Sequence, residues 1–422
     1  MTLPFEKVNV IGLGYVGLPT AAILATGGVD VVGVEVNQSI VASINRGQPH
    51  FVEAALDTLL HAVVASGKLR ATDQPEPADC FVIAVPTPFC DGSHDPDLSH
   101  IDAAAQATAP LLRAGNLIIL ESTSPVGTTH RLCESLASAR PDLSFPHDTR
   151  TDPQIHVAHC PERILPGRVL RELVENDRII GGVTPACAER ARQFYRIFVQ
   201  GQCVLTDART AELAKLAENA YRDVNIGFAN ELSMICDQHH IDVWELIRLA
   251  NHHPRVNILQ PGPGVGGHCI AVDPWFIVSG APEQSRLIRA AREVNDAKPA
   301  HVVEQIARAI ADLDKPTVAC LGLTFKPDVD DLRQSPALEV VSQLASRSPA
   351  TLLVVDPHVS ELPAQLAGFK NVKLTDLDAA LNTADAVVLL VHHRQFIELD
   401  PANLQDKTII DTRGIWNDLT RK

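Results

Sequence analysis

The sequence predicts an α/β protein with two parallel-sheet domains joined by a long central helix and a helical middle domain. Three observations carry that expectation. Short β-branched runs alternate with Ala- and Leu-rich stretches over residues 1–125, the same rhythm returns after residue 313, and the segment between them reads as helix. Such alternation implies parallel strands whose crossover helices cover both sheet faces.

In the first half the strand-like runs are residues 7–12, which enter a glycine turn, 30–36, 78–85 and 117–121. In the second half, residues 316–322 also enter a glycine and 351–356 end on an acid. Residues 384–391 match 78–85 in their Ala-Asp step, and 407–411 take the fourth place. Both halves therefore read as Rossmann-like. Between them, residues 207–240 carry apolar side chains at helical spacing, with Gly227 as the exception, and Thr206 or Asp207 ahead of Glu212 supplies a capping signal. Helices are expected to continue to about Asp296. A chain of 422 residues exceeds one ordinary domain. The expected division is 1–205, 206–312 and 313–422, with residues 141–154 and 312–316 as candidate linkers.

No apolar run approaches the roughly 20 residues a membrane helix needs, and residues 1–10 show no signal-peptide pattern. Nine scattered cysteines without metal-ligand spacing suit a reducing cytoplasm and argue against both disulfides and a metal centre. The three His-His pairs read as loop and surface residues. A net charge of −15 opposes nucleic acid and anionic lipid, while leaving room for a small anionic substrate held by local cations.

Gly12-Leu13-Gly14-Tyr15-Val16-Gly17 lies between an expected strand and an expected helix. Glycines there let backbone approach a pyrophosphate at the helix N-terminus. Glu35 closes the second strand; a carboxylate at that place accepts hydrogen bonds from ribose hydroxyls and repels a 2′-phosphate, which favours NAD over NADP. Pro86 and Thr87 follow the third strand and Thr123 the fourth, at the sheet edge where ligands bind, although each loop also fits a simple Pro-rich turn.

Residues 261–269 form a glycine-rich loop presenting Cys269, with Asp273 four residues on. A thiol so placed suits a nucleophile; a lone cysteine also suits a small buried apolar group. Lys215 and Asn219 share a helical face, as catalytic residues or as part of a solvated charged surface. Lys326 and Arg333 bracket residues 327–332, as a phosphate site or as partners of the neighbouring aspartates.

The ordered motifs Gly-x-Gly-Tyr-Val-Gly, Val-Pro-Thr-Pro, Ser-Thr-x-Pro-Val-Gly-Thr, Pro-Glu, Lys-x3-Asn, Gly-Gly-x-Cys-x3-Asp and Phe-Lys-Pro-x5-Arg resemble the UDP-glucose/GDP-mannose dehydrogenase family over essentially the whole chain. Residues 159–167 and 251–276 resemble its branch for UDP-N-acetylhexosamines. Pro166 stands where the glucose branch carries an acid, and the loop before Cys269 is shorter than in that branch. The resemblance implies NAD-dependent oxidation of a sugar C6 alcohol to a carboxylate, with UDP-N-acetylmannosamine as substrate, for cell-surface polysaccharide.

It also implies roles. Cys269 would be the nucleophile, Lys215 and Asp273 would manage protons and oxyanion charge, and Asn219 would position the sugar. Thr123 and Glu162 would lie near the reacting carbon. Arg163, Arg255, Gly266, Lys326 and Arg413 would hold the UDP-sugar, and Arg333 would reach the NAD. Residues 207–240 are long and apolar enough to pack on a second copy, so a homodimer is expected; the resemblance implies that Arg255 serves the neighbouring subunit, the alternative being a cation satisfied within its own. A one-step hydroxyacid dehydrogenase has no use for Cys269 on its glycine loop, and a non-catalytic NAD sensor has none for Lys215, Asn219 or Asp273.

Overall fold

The structure is a computed structural model that describes residues 4–147, 153–165, 167–267 and 269–416. The chain forms two compact units, Met1–Ala217 and Glu218–Lys422.

The first unit is built on an eight-stranded sheet: β1 (Lys7–Ile11), β2 (Asp30–Val34), β3 (Leu69–Thr72), β4 (Cys80–Ile83), β5 (Leu117–Leu120), β6 (His156–His159), β7 (Arg178–Gly182) and β8 (Cys203–Asp207), in the order β3-β2-β1-β4-β5-β6-β7-β8. Every neighbouring pair is parallel except β6 with β7. The four expected strands are present. β3, β6, β7 and β8 were not anticipated, because they are short and end on polar or glycine residues that blunt the apolar signal.

Side chains alternate between two cores. Val8, Val10, Val82 and Ile119 pack with Leu18, Leu24 and Phe194 on one face. Ile11, Phe81, Ile83 and Ile118 pack with Ile101, Leu132 and Leu136 on the other. Burial on both faces is why these strands read as continuous apolar runs.

The second unit carries a five-stranded, all-parallel sheet of β9 (Thr317–Leu321), β10 (Thr351–Val355), β11 (Val372–Leu374), β12 (Ala386–Leu389) and β13 (Thr408–Asp411), in the order β11-β10-β9-β12-β13. β11, only three residues long, was not anticipated. Val318, Cys320 and Val388 meet Val302 and Ile306 of helix Arg286–Ala309. Ala319, Leu321 and Val387 meet Phe396 and Trp416 on the opposite face.

Both sheets use one device after their first strand. Gly12, at φ +90, donates to the Val34 carbonyl at 2.9 Å, and Gly322, at φ +95, donates to Val355 at 2.8 Å. The next amide in each turn, Leu13 or Leu323, donates to the acid ending the following strand, Glu35 at 3.3 Å or Asp356 at 2.7 Å. The second turn thus keeps the first glycine of the fingerprint without the rest.

The expected spine is one helix, Ala208–His239, of 32 residues, and the boundary between the units falls within it. Asp207 caps it, accepting from the Thr210 amide at 3.0 Å and hydroxyl at 2.6 Å. Glu212 does not complete the expected capping signal. Its buried carboxylate accepts instead from the amides of Gly127 (2.6 Å) and Thr129 (2.7 Å) and from the Thr129 hydroxyl, capping helix Thr128–Ala139. Gly227 packs against Ala291 of helix Arg286–Ala309, where a Cβ would come within 3.1 Å of the Ala291 carbonyl oxygen. That helix runs well past Asp296. Residues 141–154, of which 148–152 lie outside the described residues, lead from helix Thr128–Ala139 into β6 of the same sheet. Residues 312–316 lead from helix Arg286–Ala309 into β9. No helix among the described residues is long and apolar enough to cross a membrane.

A Cβ at Gly322 would sit 2.4 Å from the Val391 Cβ, at a φ that side chains rarely adopt. Gly322→Ala should therefore cost about 2 kcal/mol or more, read as a lowered urea midpoint. An unchanged midpoint would mean the turn relaxes freely.

Candidate active site

In the glycine turn the three glycines do different work. A Cβ at Gly17 would lie 1.9 Å from the Gly12 carbonyl oxygen, and one at Gly12 would lie 2.6 Å from that of Ala84, so close packing demands both. Nothing lies within 4 Å of a Cβ at Gly14. That opening, beside the start of helix Gly17–Thr26, fits a pyrophosphate. Glu35 is half-buried and also accepts from Asn37 at 3.1 Å, which aims its carboxylate at the mouth of the turn. Tyr15 stacks on Phe51, with ring centroids 4.1 Å apart, and Val16 is half-buried. Two residues beyond Phe51, buried Glu53 accepts from Gly167 (2.8 Å) and Val169 (3.0 Å) and so anchors the far end of the loop after Arg163. Pro166 and His268 lie outside the described residues.

The two Pro-bearing loops are tied together. Thr87 donates through its hydroxyl to the Thr123 carbonyl at 2.6 Å, and Ser122 to that of Val85 at 2.7 Å. Pro86 is exposed and Thr123 half-buried.

Glu162 is buried, accepts from the Arg163 amide at 2.7 Å and pairs with buried Arg178. The Arg178 guanidinium lies 4.0 Å from Glu121 and 4.8 Å from the centre of the Tyr195 ring, whose hydroxyl donates to Glu121 at 2.6 Å. Burial pushes the Glu121 carboxyl up to about 7, against the pull of the Arg178 charge. His159 is buried, and burial, reinforced by the charge of Lys215, lowers its pKa to about 3, so it is neutral at physiological pH. Sequence reasoning missed Glu121, Arg178 and Tyr195; charged residues at the ends of β5 and β7 were the available signal. Lys215 is half-buried on the spine helix.

In the second unit, Asn219 donates to Asp273 at 2.5 Å, and both are buried. Asp273 opens helix Asp273–Gly280, and its amide donates to the Cys269 carbonyl at 2.9 Å. Cys269 is exposed, unlike the buried Cys80, Cys133, Cys160, Cys187, Cys236 and Cys320, so it is not a core packing group. Its loop lies on the turn after β9. A Cβ at Gly266 would meet the Gln334 carbonyl oxygen at 2.4 Å, and one at Gly267 would meet the Phe325 ring at 2.8 Å. A Cβ at Gly262 would meet the Arg413 guanidinium at 2.6 Å.

The loop thus gathers with Arg413 and the 325–334 segment. Lys326 lies 5.7 Å over the Phe325 ring. Arg333 is paired with Asp331, as one of the two sequence readings had it. Arg413 donates to the Leu390 carbonyl at 2.9 Å; burial lowers its pKa to about 10, and it stays charged at neutral pH. His393 accepts from the Asp328 amide at 3.0 Å and lies 3.1 Å from Asp356, so both ring nitrogens are engaged within the protein. Arg255 is exposed on a loop closed by the Asn251 side chain, which bonds both backbone groups of Ile258 (3.0 and 2.7 Å).

A dinucleotide cradle after the first strand of one sheet, and an exposed cysteine on a glycine-rich loop that packs on the turn after β9 of another, suit an NAD-dependent oxidoreductase. Residues 6–199 match the NAD binding domain of the UDP-glucose/GDP-mannose dehydrogenase family, 209–297 its central domain and 319–418 its UDP binding domain, and the chain belongs to that family. It is 60% identical to the NDP-N-acetyl-D-galactosaminuronic acid dehydrogenase of Ralstonia nicotianae, over 98% of this chain and 97% of that protein. It is 59% identical to the UDP-N-acetyl-D-mannosamine dehydrogenase of Campylobacter jejuni, over 94% and 97% respectively. The solved UDP-D-ManNAc dehydrogenase of Pyrococcus horikoshii superposes with a TM-score of 0.86 at 38% identity, covering 97% of this chain and 96% of that one.

Glu121 holds its proton to about pH 7 in the folded state, whereas its ordinary pKa is 4.5. The folded form therefore binds the extra proton in that window, and stability should fall as pH rises through it. Glu121→Gln should flatten that fall in urea midpoints taken between pH 4.5 and 7. An identical slope in the variant would place the proton elsewhere.

Proposed function

We propose that this protein oxidises the C6 alcohol of UDP-N-acetyl-D-mannosamine to the uronate, in two NAD-dependent steps joined by a covalent intermediate on Cys269. The observation that carries this reading is the exposed Cys269, tied through its carbonyl to Asp273, which Asn219 holds in turn. NAD, when bound, supplies the hydride-accepting chemistry for each two-electron step. Gly12, Gly14, Tyr15, Val16, Gly17, Glu35, Pro86, Thr87 and Arg333 are its proposed binding residues.

The Cys269 thiolate adds to the C6 aldehyde, giving a thiohemiacetal whose oxidation leaves a thioester. Water then releases the carboxylate and frees the thiol. The balance is one alcohol, two NAD⁺ and one water to one carboxylate, two NADH and three protons. Lys215 stabilises developing alkoxide charge, and Asp273 relays protons. Thr123 and Glu162 orient water and sugar, with Asn219. Arg163, Arg255, Gly266, Lys326 and Arg413 hold the UDP-sugar, so that remote binding energy fixes the reacting carbon. The proposed organisation is an NAD domain over 1–205, a middle domain over 206–312 and a UDP-sugar domain over 313–422, in a cytoplasmic enzyme serving cell-surface polysaccharide.

A second sugar deserves equal trial, because the relative at 60% identity is named for N-acetylgalactosaminuronic acid. NADH yield with UDP-N-acetylmannosamine, UDP-N-acetylgalactosamine, UDP-N-acetylglucosamine and UDP-glucose separates the readings. The expected result is two NADH per sugar, a uronate product and highest kcat/KM for UDP-N-acetylmannosamine. Cys269→Ser should stop acid formation; one NADH per sugar with free aldehyde would refute the covalent route.

We further propose a homodimer. Tyr221, Phe228 and Ile235 stand seven residues apart on the spine helix and are exposed, at 71%, 52% and 45%, an apolar stripe suited to a second copy. Arg255 would serve the neighbouring subunit's nucleotide. Arg255→Ala and Cys269→Ala, each inactive alone, should then regain activity in mixed dimers of differently tagged chains. Verified mixed dimers as inactive as their parents would confine Arg255 to its own chain.

A further inference from the structure

One face of the spine helix is polar and buried. Asn219, Asp223 and Asn230 recur at helical spacing on it, with Gly227 among them, and all four are buried. The absence of a side chain at Gly227 lets helix Arg286–Ala309 approach closely at Ala291. That approach brings Arg292 and Asn295, each 1% exposed, onto the same polar face.

The hydrogen bonds there form an unbroken chain. Arg292 donates to the Asp223 carboxylate at 2.5 Å. The Asn295 amide nitrogen donates to that carboxylate at 2.8 Å and to the Asp223 carbonyl at 3.0 Å. The Asn230 amide nitrogen donates to the Asn295 side-chain oxygen at 2.8 Å, and the Gly262 backbone amide donates to the Asn230 side-chain oxygen at 2.9 Å.

Both ends of this chain have fixed polarity. The guanidinium can only donate, and so can the Gly262 N–H. The Gly262 amide therefore turns the Asn230 oxygen toward itself and the Asn230 nitrogen toward Asn295. That nitrogen in turn presents the Asn295 nitrogen to Asp223. Flipping either side-chain amide would oppose like groups at both of its contacts, in a buried place where unmet polar groups are costly.

The relay ends on the loop that presents Cys269. Asn230 anchors its beginning at Gly262, and Asn219 holds Asp273 beyond the cysteine. Gly264, between them, packs against the Asn295 carbonyl, where a Cβ would lie 3.3 Å away.

We propose that Asn230 is a positioning residue for the reaction: oriented by Asn295, Asp223 and Arg292, it fixes the near end of the Cys269 loop and so the placement of the thiol. This rests on the reading of Cys269 as nucleophile. Asn230 touches no reacting atom in the proposed chemistry, and its effect should be on turnover rather than on cofactor capture.

The test uses full-length Asn230→Ala and Asn295→Ala, with Cys269→Ser alongside. Loss of the Gly262 acceptor should speed deuterium uptake over residues 261–267 about tenfold and lower kcat about tenfold. The KM for NAD should stay within about twofold, and exchange over the 12–17 turn should not change. Asn295→Ala should move both readouts in the same direction by less, because Asn230 remains but loses its orientation. It also decides the matter if Asn230→Ala does not fold. Wild-type loop exchange and kcat in the folded variants would overturn the proposal, and so would a matched rise in NAD KM with exchange accelerating throughout the chain. Failure of the underlying reading looks different: Cys269→Ser would then still form the acid, while the loop in Asn230→Ala would still lose protection.

Discussion

A buried polar side chain must find a partner, and the spine helix is built around that constraint. Its buried carboxylate at Glu212 meets the amides that open helix Thr128–Ala139 in the first unit. In the second unit, Asn219 meets Asp273 and Asn230 meets Gly262. None of these bonds serves the helix itself, whose own backbone is already paired. Each one fixes a turn that carries a candidate site residue or stands next to one. Within the second unit, Asn219 and Asn230 share one face of the helix and so hold two points flanking the same cysteine.

The two sheets show how one local device supports different chemistry. Each begins with a strand, a left-handed glycine and an acid that accepts the next amide. In the first, the acid is Glu35, which stays half-buried and also accepts from the Asn37 amide. In the second it is Asp356, whose carboxylate also accepts from Thr324 and His358 and is spent within the turn. The remaining glycines are absent there, and Lys326 and Arg413, the residues proposed to hold an anionic ligand, stand after β9 and β13 of that sheet. Under the proposed function, local cations of this kind would offset the net charge of −15 where the substrate binds.

Around Glu162 the electrostatics are more crowded than a lone carboxylate would be. Arg178 is shared between Glu162 and Glu121, and one cation cannot fully offset two buried anions. The structure resolves this by letting Glu121 keep a proton near neutrality while the Tyr195 hydroxyl donates to it. Glu162 is left with the closer ion pair, and with the Arg163 amide.

Much of the fold was legible in the sequence because its causes are local. Residues 7–12 and 316–322 read as strands running into glycine turns because neighbouring residues sufficed to show it. A cap at Thr206 or Asp207 follows from residue type, and the shared face of Lys215 and Asn219 from helical spacing. The short strands β3, β6, β7, β8 and β11 were not legible, since three to five residues carry little periodicity. The presented cysteine stood out through its glycines, whereas its exposure, and the close packing that demands Gly262, Gly266 and Gly267, came only from tertiary neighbours, Arg413, Gln334 and Phe325. Tertiary structure alone decided which polar groups meet. Asn230 reaches Gly262 across 32 residues, Glu212 reaches Gly127 across 85, and Glu53 reaches Gly167 across 114. Spacing within a segment specifies which side chains share a face. It says nothing about a distant donor, because the pairing depends on how elements pack and on the need to satisfy every polar group they bury.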